Sequence, residues 1–178
     1  MKVTKLSIEH IEERCRWLNH TAIYNDMNMQ YPITYHETEK WFERVVYSNN
    51  RMDLVFITDE NTIASMTGIT NVDTINGIAE FYIIVNPSMQ GKGFGLSTTA
   101  FTMNYAFMNF NIHKIYLYTN SFNEKANKLY SKLGFILEGT LRKHKFKNGN
   151  FIDRYIYGLL KEEWSKTTHY QTNINLTF

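Results

Sequence analysis

Apolar residues recur along this chain at two periods, and the switches between them mark out its elements. Residues 2–6 read as a short first strand. Ile8, Ile11, Cys15 and Leu18 then recur at helical spacing behind Ser7, a residue type that caps helix starts. Residues 19–32 break the pattern and read as a loop with room for a helical turn. Thr34 and Glu37 have capping-box spacing, and Trp41, Phe42, Val45 and Val46 make the apolar face of the next helix, stopped by Asn49-Asn50. Residues 53–58, 62–70 and 78–85 are strands joined by short turns, the pattern of an antiparallel meander.

The third of these strands is cut off by Asn86-Pro87 and runs into a glycine-rich loop, Gln90-Gly91-Lys92-Gly93-Phe94-Gly95. An apolar helix over 96–110 follows, then a β-rich run over 114–119; strand, crossover helix and strand imply a parallel pair. Ala126, Leu129, Tyr130 and Leu133 form one helical stripe that Gly134 terminates. Residues 135–146 and 151–160 are strands around Asn148-Gly149, which supplies the positive φ angles of a hairpin. The fold class is α+β, an α/β sandwich with a mixed sheet of about six to seven strands and about four flanking helices. One domain spans 1–165. Residues 166–178 form a polar, unpatterned tail that is expected to fray.

Composition changes this picture little. The chain has 178 residues, 43% of them hydrophobic and 20% charged, ordinary values for a folded domain. A formal charge of +2 is too weak to point to nucleic acid. The one cysteine, Cys15, cannot form an intramolecular disulfide, and its helical position predicts a buried structural thiol. The first residues lack a signal-peptide core and no run has the length of a bilayer span, so a cytoplasmic location without membrane contact is expected. His36, His113 and His144 form no metal-type cluster, and no metal is expected.

The glycine loop carries the first chemistry. Glycines let the backbone approach an anion closely, and the free amides and dipole of the following helix attract it. The loop is no P-loop, because no Gly-Lys-Ser/Thr follows at the required spacing, and it lacks the full dinucleotide-binding glycine pattern.

Residues 85–95, Val85-Asn86-Pro87-Ser88-Met89-Gln90-Gly91-Lys92-Gly93-Phe94-Gly95, resemble motif A of the GNAT superfamily of N-acetyltransferases, Gln/Arg-x-x-Gly-x-Gly/Ala, with Gln90, Gly93 and Gly95 in register. Residues 123–135 resemble the second hallmark, Asn-x-x-Ala-x-x-x-Tyr-x-x-x-Gly-Phe, through Asn123, Ala126, Tyr130, Gly134 and Phe135. Glu138-Gly139 follows, as in the branch of the ribosomal-protein-alanine and spermidine acetyltransferases.

The resemblance implies acetyl-CoA as co-substrate and direct acetyl transfer to a primary amine in a ternary complex. It implies that the loop from Gln90 through Gly91, Lys92, Gly93 and Phe94 to Gly95 holds the pyrophosphate. It implies that pantetheine lies along Ile83, Ile84 and Val85, in a gap where this strand splays from its parallel neighbour. Asn123 would contact the pantetheine arm; by residue type it is equally a helix N-cap. Tyr130 would protonate the departing thiolate, where helical spacing alone makes it a core aromatic. Glu80, at the start of the motif strand, is the candidate base; as residue type alone it is a surface carboxylate. Lys92 adds charge or is an exposed loop lysine.

The acceptor would be a small molecule or peptide amine gripped by residues 19–32, the helix start at Thr34 and the hairpin over 142–157. Tyr24, Asn25, Asp26, Asn28 and Tyr31 offer polar and aromatic contacts. The sparse acidity, Asp26 with Glu37, Glu39 and Glu43, permits a polyamine without favouring it. Residues 35–41 are similar to the nucleotide-sugar amine branch of the family, and a protein N-terminus stays open. A homodimer is possible through exposed strand edges. The other class of function is a catalytically inactive acyl-CoA sensor or interaction module on the same fold.

Overall fold

A computed structural model of the protein describes residues 1–27, 29 and 32–171. Seven strands form one mixed sheet in the order β1-β2-β3-β4-β5-β7-β6. They are β1 (Lys2–Lys5), β2 (Met52–Ile57), β3 (Ile63–Asp73), β4 (Ile78–Val85), β5 (Lys114–Asn120), β6 (Ile136–Lys147) and β7 (Asn150–Leu160). The β1–β4 meander is antiparallel and β4 pairs with β5 in parallel. The hairpin between β6 and β7 has Asn148 and Gly149 at φ of 49° and 80°, the twist-matching turn that this dipeptide predicts.

Six α-helices are described: α1 (Ile11–Leu18), α2 (Thr21–Tyr24), α3 (Tyr35–Val45), α4 (Phe94–Asn109), α5 (Glu124–Lys132) and α6 (Lys161–Trp164). Four have eight residues or more, as the periodicity predicts; α2 and α6 are single turns too short to leave a periodic signal. The Thr34–Glu37 capping box starts α3, with Glu37 accepting from the Thr34 amide at 2.8 Å.

The sheet buries both faces. Ala79, Phe81, Ile115, Leu117 and Leu159 pack against Met103, Ala106 and Phe107 of α4 and Leu133 beyond α5. Val55, Met66 and Ile84 pack against Ile11, Trp17, Leu18 and Ile23 of the α1–α2 side. Strand alternation therefore sends Phe81 and Ile83 toward α4 and α5, and Glu80, Tyr82 and Ile84 toward α1–α3.

Two expectations fail. Cys15 is only partly buried, with Sγ 3.5 Å from the Ile33 carbonyl. Residues 166–171 of the expected tail are docked rather than frayed, and residues 172–178 lie outside the described residues. Asn104 of α4 donates to the His169 carbonyl at 2.9 Å, its oxygen accepts from the Trp164 indole at 2.8 Å and the Gln171 amide at 3.1 Å, and His169 stacks on Trp164. A buried amide needs such partners, and the chain beyond α6 supplies them.

Candidate active site

The sheet is split along its one parallel seam. β4 and β5 pair only at Ile78–Lys114, Ala79–Ile115 and Glu80–Tyr116. Beyond that point β5 pairs with β7 alone, out to Asn120 opposite Arg154. The alternate amides and carbonyls of Phe81 to Val85 on the β5 side thus face a gap without ladder partners.

The end of β4 is fixed by Asn86. Its amide donates to the Ala64 carbonyl, its side-chain nitrogen to the Ile63 carbonyl at 2.8 Å, and its side-chain oxygen caps the Ser88 amide at 3.0 Å. A 3-10 turn over Pro87–Met89 then leads to Gly93, which stands at φ 88° as the N-cap of α4. Gly91 has φ 78°, and no atom lies within 4 Å of where a Cβ would stand on either glycine. Open space over a left-handed backbone, beside helix-start amides that have no intrahelical acceptor, fits a pyrophosphate. Hydroxyls of Thr98 and Thr99 bond the Phe94 and Gly95 carbonyls at 2.7 Å, which steadies the first turn.

A cavity of about 480 Å³ runs from this cradle into the seam. Of the residues expected at the site, Glu80, Ile83, Ile84, Val85, Gln90, Gly91, Gly95, Asn123 and Tyr130 all line it. Lys92, Gly93 and Phe94 stand beside it at the start of α4 and are not among its lining residues. The Ile84 side chain is 2% exposed in the opposite core, so that residue offers the cavity its backbone.

Glu80 and Tyr130 approach the cavity from opposite faces of the sheet. Glu80 accepts from the Asn71 amide side chain at 2.8 Å and lies on the α1–α3 face. Tyr130 belongs to the core of the α4–α5 face, with Phe135 and Tyr157 rings at 5.7 and 6.0 Å. Burial pushes its phenol well above the usual tyrosine range, so the hydroxyl stays protonated at neutral pH. Asn123 holds both roles open: its oxygen caps α5 by accepting from Ala126 at 3.0 Å, and its nitrogen remains for a ligand.

The roof of the cavity comes from residues far from the motifs. Lys147, at the β6–β7 turn, donates to the Tyr24 and Met27 carbonyls and sits 4.3 Å over the Tyr24 ring. Asn120 donates to the Asp26 carbonyl at 2.8 Å. The Asp26 carboxyl lines the cavity, its pKa raised by burial against the opposing pull of Lys125 and Lys147. Asn28 and Tyr31, expected as acceptor contacts, lie outside the described residues.

Sequence reasoning missed Tyr118 and Asn120, and reached Arg154 only as part of the hairpin over 142–157. Tyr116 and Tyr118 alternate with the core residues Ile115 and Leu117, which places the pair on the Glu80 face, a signal present in the sequence. Arg154 alternates with Tyr155 and Tyr157, but the register that sets it opposite Asn120 has no local signature. Among the described residues no group of three or more His, Cys, Asp or Glu is gathered, and no helix is long and apolar enough to cross a membrane.

A sheet parted at its parallel seam, with a glycine-opened helix start at one end and a buried phenol beside the gap, is the architecture of an acyl-CoA-dependent transferase. The Acetyltransferase (GNAT) domain family matches residues 2–136, and the chain belongs to that family. It is 32% identical over 120 residues to the spermidine N(1)-acetyltransferase of Vibrio cholerae serotype O1, covering 67% of this chain and 69% of that protein. Its match to the Escherichia coli K12 spermidine N(1)-acetyltransferase is 38% identical over 88 residues, 49% of this chain and 47% of the other, so it spans about half that relative's length. The crystal structure of the Vibrio cholerae spermidine N-acetyltransferase with CoA and spermine superposes with a TM-score of 0.87 at 26% identity, over 92% of this chain and 96% of that one. The protein is an acetyl-CoA-dependent N-acetyltransferase that moves an acetyl group to an amine.

Proposed function

We propose that acetyl-CoA occupies the seam from the α4–α5 side and that a small amine acceptor meets it from the α1–α2 side. The observation that carries this reading is the single cavity shared by the Gln90–Gly95 cradle, Tyr130 and Glu80. Gln90, Gly91 and the first amides of α4 would hold the pyrophosphate. The backbone of Ile83 to Val85 and the Asn123 nitrogen would hold the pantetheine arm, which adds to the β4 edge as a strand would. Bound acetyl-CoA supplies the acetyl group as a thioester.

The chain's own groups handle the protons and charge. An amine is a nucleophile only when neutral, and most are protonated at pH 7, so a base must take a proton directly or through water. Glu80 is the carboxylate on the acceptor face of the seam. Unpaired β4 amides on the gap side can donate to the carbonyl oxygen as its charge grows. Tyr130, kept protonated by burial, donates to the sulfur as it leaves.

Release of free thiol from acetyl-CoA over a panel of amines tests the reading, alongside CoA binding by calorimetry. The expected result is turnover of at least one amine. Tyr130→Phe and Glu80→Gln should each keep CoA binding and lose about a hundredfold in kcat. Unchanged turnover in either variant would remove that residue from its role. CoA binding with no turnover on any amine would favour the sensor.

A further inference from the structure

We propose that the acceptor carries an oxyanion, a carboxylate or a phosphate, beside its amine, and that Arg154 reads it. This rests on the acetyl-transfer reading above and names the substrate class for the same site.

Arg154 lines the cavity together with Glu80 and Tyr118. Its guanidinium carbon lies 4.9 Å over the Tyr118 ring, which orients the plane of the group. Its Nε is buried and has no hydrogen-bond partner. Among the described residues Arg154 forms no ion pair; Glu80, whose charge acts on it, is not within salt-bridge distance. Burial lowers the guanidinium pKa against the opposing pull of Glu80 and Tyr118, yet an arginine keeps its charge throughout the working range. A half-buried, charged, planar donor fork with an open N–H lacks only an anionic acceptor with two oxygens. Carboxylate and phosphate are the groups that match it.

The charges around the cavity point the same way. Its described lining holds two carboxylates, Asp26 and Glu80, and three cations, Lys125, Lys145 and Arg154. Asp26 already feels Lys125 and Lys147, and Glu80 feels Arg154. A polyamine brings two or more positive charges into a described lining that holds three cations against two carboxylates, and Arg154 repels the charge beside Glu80. An amine with one oxyanion presents its nitrogen to Glu80 and its negative end to Arg154.

The test compares acceptors matched in length. Glycine, β-alanine, 4-aminobutanoate and 5-aminopentanoate form the carboxylate arm. 2-Aminoethyl phosphate and glucosamine 6-phosphate form the phosphate arm. Ethylamine, propylamine and butylamine are the plain amines, with putrescine and spermidine as polyamines. The best oxyanion-bearing amine should exceed the matched plain amine by about tenfold or more in kcat/KM, the scale of one charge-assisted hydrogen bond. Arg154→Gln should collapse that ratio through KM, and Arg154→Lys should restore it in part. Binding of the same compounds to the CoA-loaded protein, measured by calorimetry, should show the same dependence on Arg154. Spermidine or putrescine as the best acceptor of the unmodified protein would overturn the proposal. So would an Arg154→Gln variant that weakens oxyanion-bearing and plain amines alike. Arg154-dependent binding with no turnover would sink the transfer reading and leave Arg154 only as a reader of the bound oxyanion; turnover with no oxyanion preference would sink the oxyanion reading alone.

Discussion

The side-chain oxygen of Asn123 accepts from the Ala126 amide at 3.0 Å, which commits half of that amide to capping α5 and leaves only its nitrogen for the cavity. Two substitutions separate the halves. Asn123→Ala removes both and should cost about 1 kcal/mol of stability, the usual value of an N-cap. Asn123→Asp keeps the capping oxygen and removes the donor. Its stability in urea should stay within about 0.5 kcal/mol of the parent, because Asp caps as well as Asn. Both should weaken acetyl-CoA binding by calorimetry. An Asp variant that binds acetyl-CoA as tightly as the parent would reduce Asn123 to a cap.

Gly93 separates backbone strain from crowding. A Cβ there meets nothing within 4 Å, yet the residue stands at φ 88°. Gly93→Ala should therefore lose about 1–2 kcal/mol through the left-handed backbone alone. In a domain of this size that lowers Tm by about 2–8 °C. The strain falls on the N-cap of α4, so acetyl-CoA affinity should drop with it. Gly93→Asn should recover part of both, since Asn tolerates this region better. An Ala variant as stable as the parent would mean that the loop holds another conformation in solution.

Tyr130 and Tyr82 both have phenols pushed far above the usual tyrosine value by burial. The unfolded chain releases these protons near pH 10, while the folded one retains them. The unfolded state thus binds fewer protons above that pH. Their contribution to stability is whole below about pH 10 and is lost as pH rises beyond it. Urea midpoints should be insensitive to these groups from pH 7 to 9 and fall above about pH 10. Tyr130→Phe should flatten that fall by one group's share. Identical alkaline profiles for parent and variant would show that the Tyr130 phenol is not buried in solution.

The two halves of the site were unequally legible in the sequence. The cradle lies in one continuous stretch, and its parts act through backbone: Asn86 ends the strand, Gly91 and Gly93 turn left-handed, α4 begins. Each step has a local signature, so residues 80–95 were readable. Asn123 and Tyr130 came within reach only through the resemblance to the family's second motif, since helical spacing alone makes them a cap and a core aromatic. The acceptor side is different. It is assembled by the β5–β7 register that sets Arg154 opposite Asn120, and by Lys147 reaching back to Tyr24 and Met27. Asn120 and Arg154 are 34 positions apart and Lys147 is more than a hundred from Tyr24 and Met27, and no local pattern encodes either contact. The partial exposure of Cys15 and the docking of residues 169–171 on Asn104 were hidden for the same reason.

Asp53 anchors a network that was equally invisible and that supports the acceptor face. It takes two hydrogen bonds from Arg51, both at 2.7 Å, and one from the Tyr82 hydroxyl. Arg51 and the buried Arg14 lie 5.2 and 4.2 Å over the Trp41 ring, and Arg14 also faces the Tyr82 ring at 5.5 Å. Asp53→Ala strands a largely buried guanidinium and a buried phenol at once. The cost should be about 3 kcal/mol or more, the scale of breaking a buried pair from one side. Asp53→Asn keeps an acceptor for Tyr82 and loses the charge, so it should fall between. Arg51 and Asp53 touch, so the double variant Arg51→Ala/Asp53→Ala should lose less than the sum of the single ones. Tyr82 lines the cavity on the Glu80 face, so the acceptor KM should rise in Asp53→Asn while acetyl-CoA binding holds. Urea denaturation and initial rates read these effects separately. Additive losses from Arg51 and Asp53 would break the pair apart as an energetic unit, and an unmoved KM would uncouple it from the acceptor.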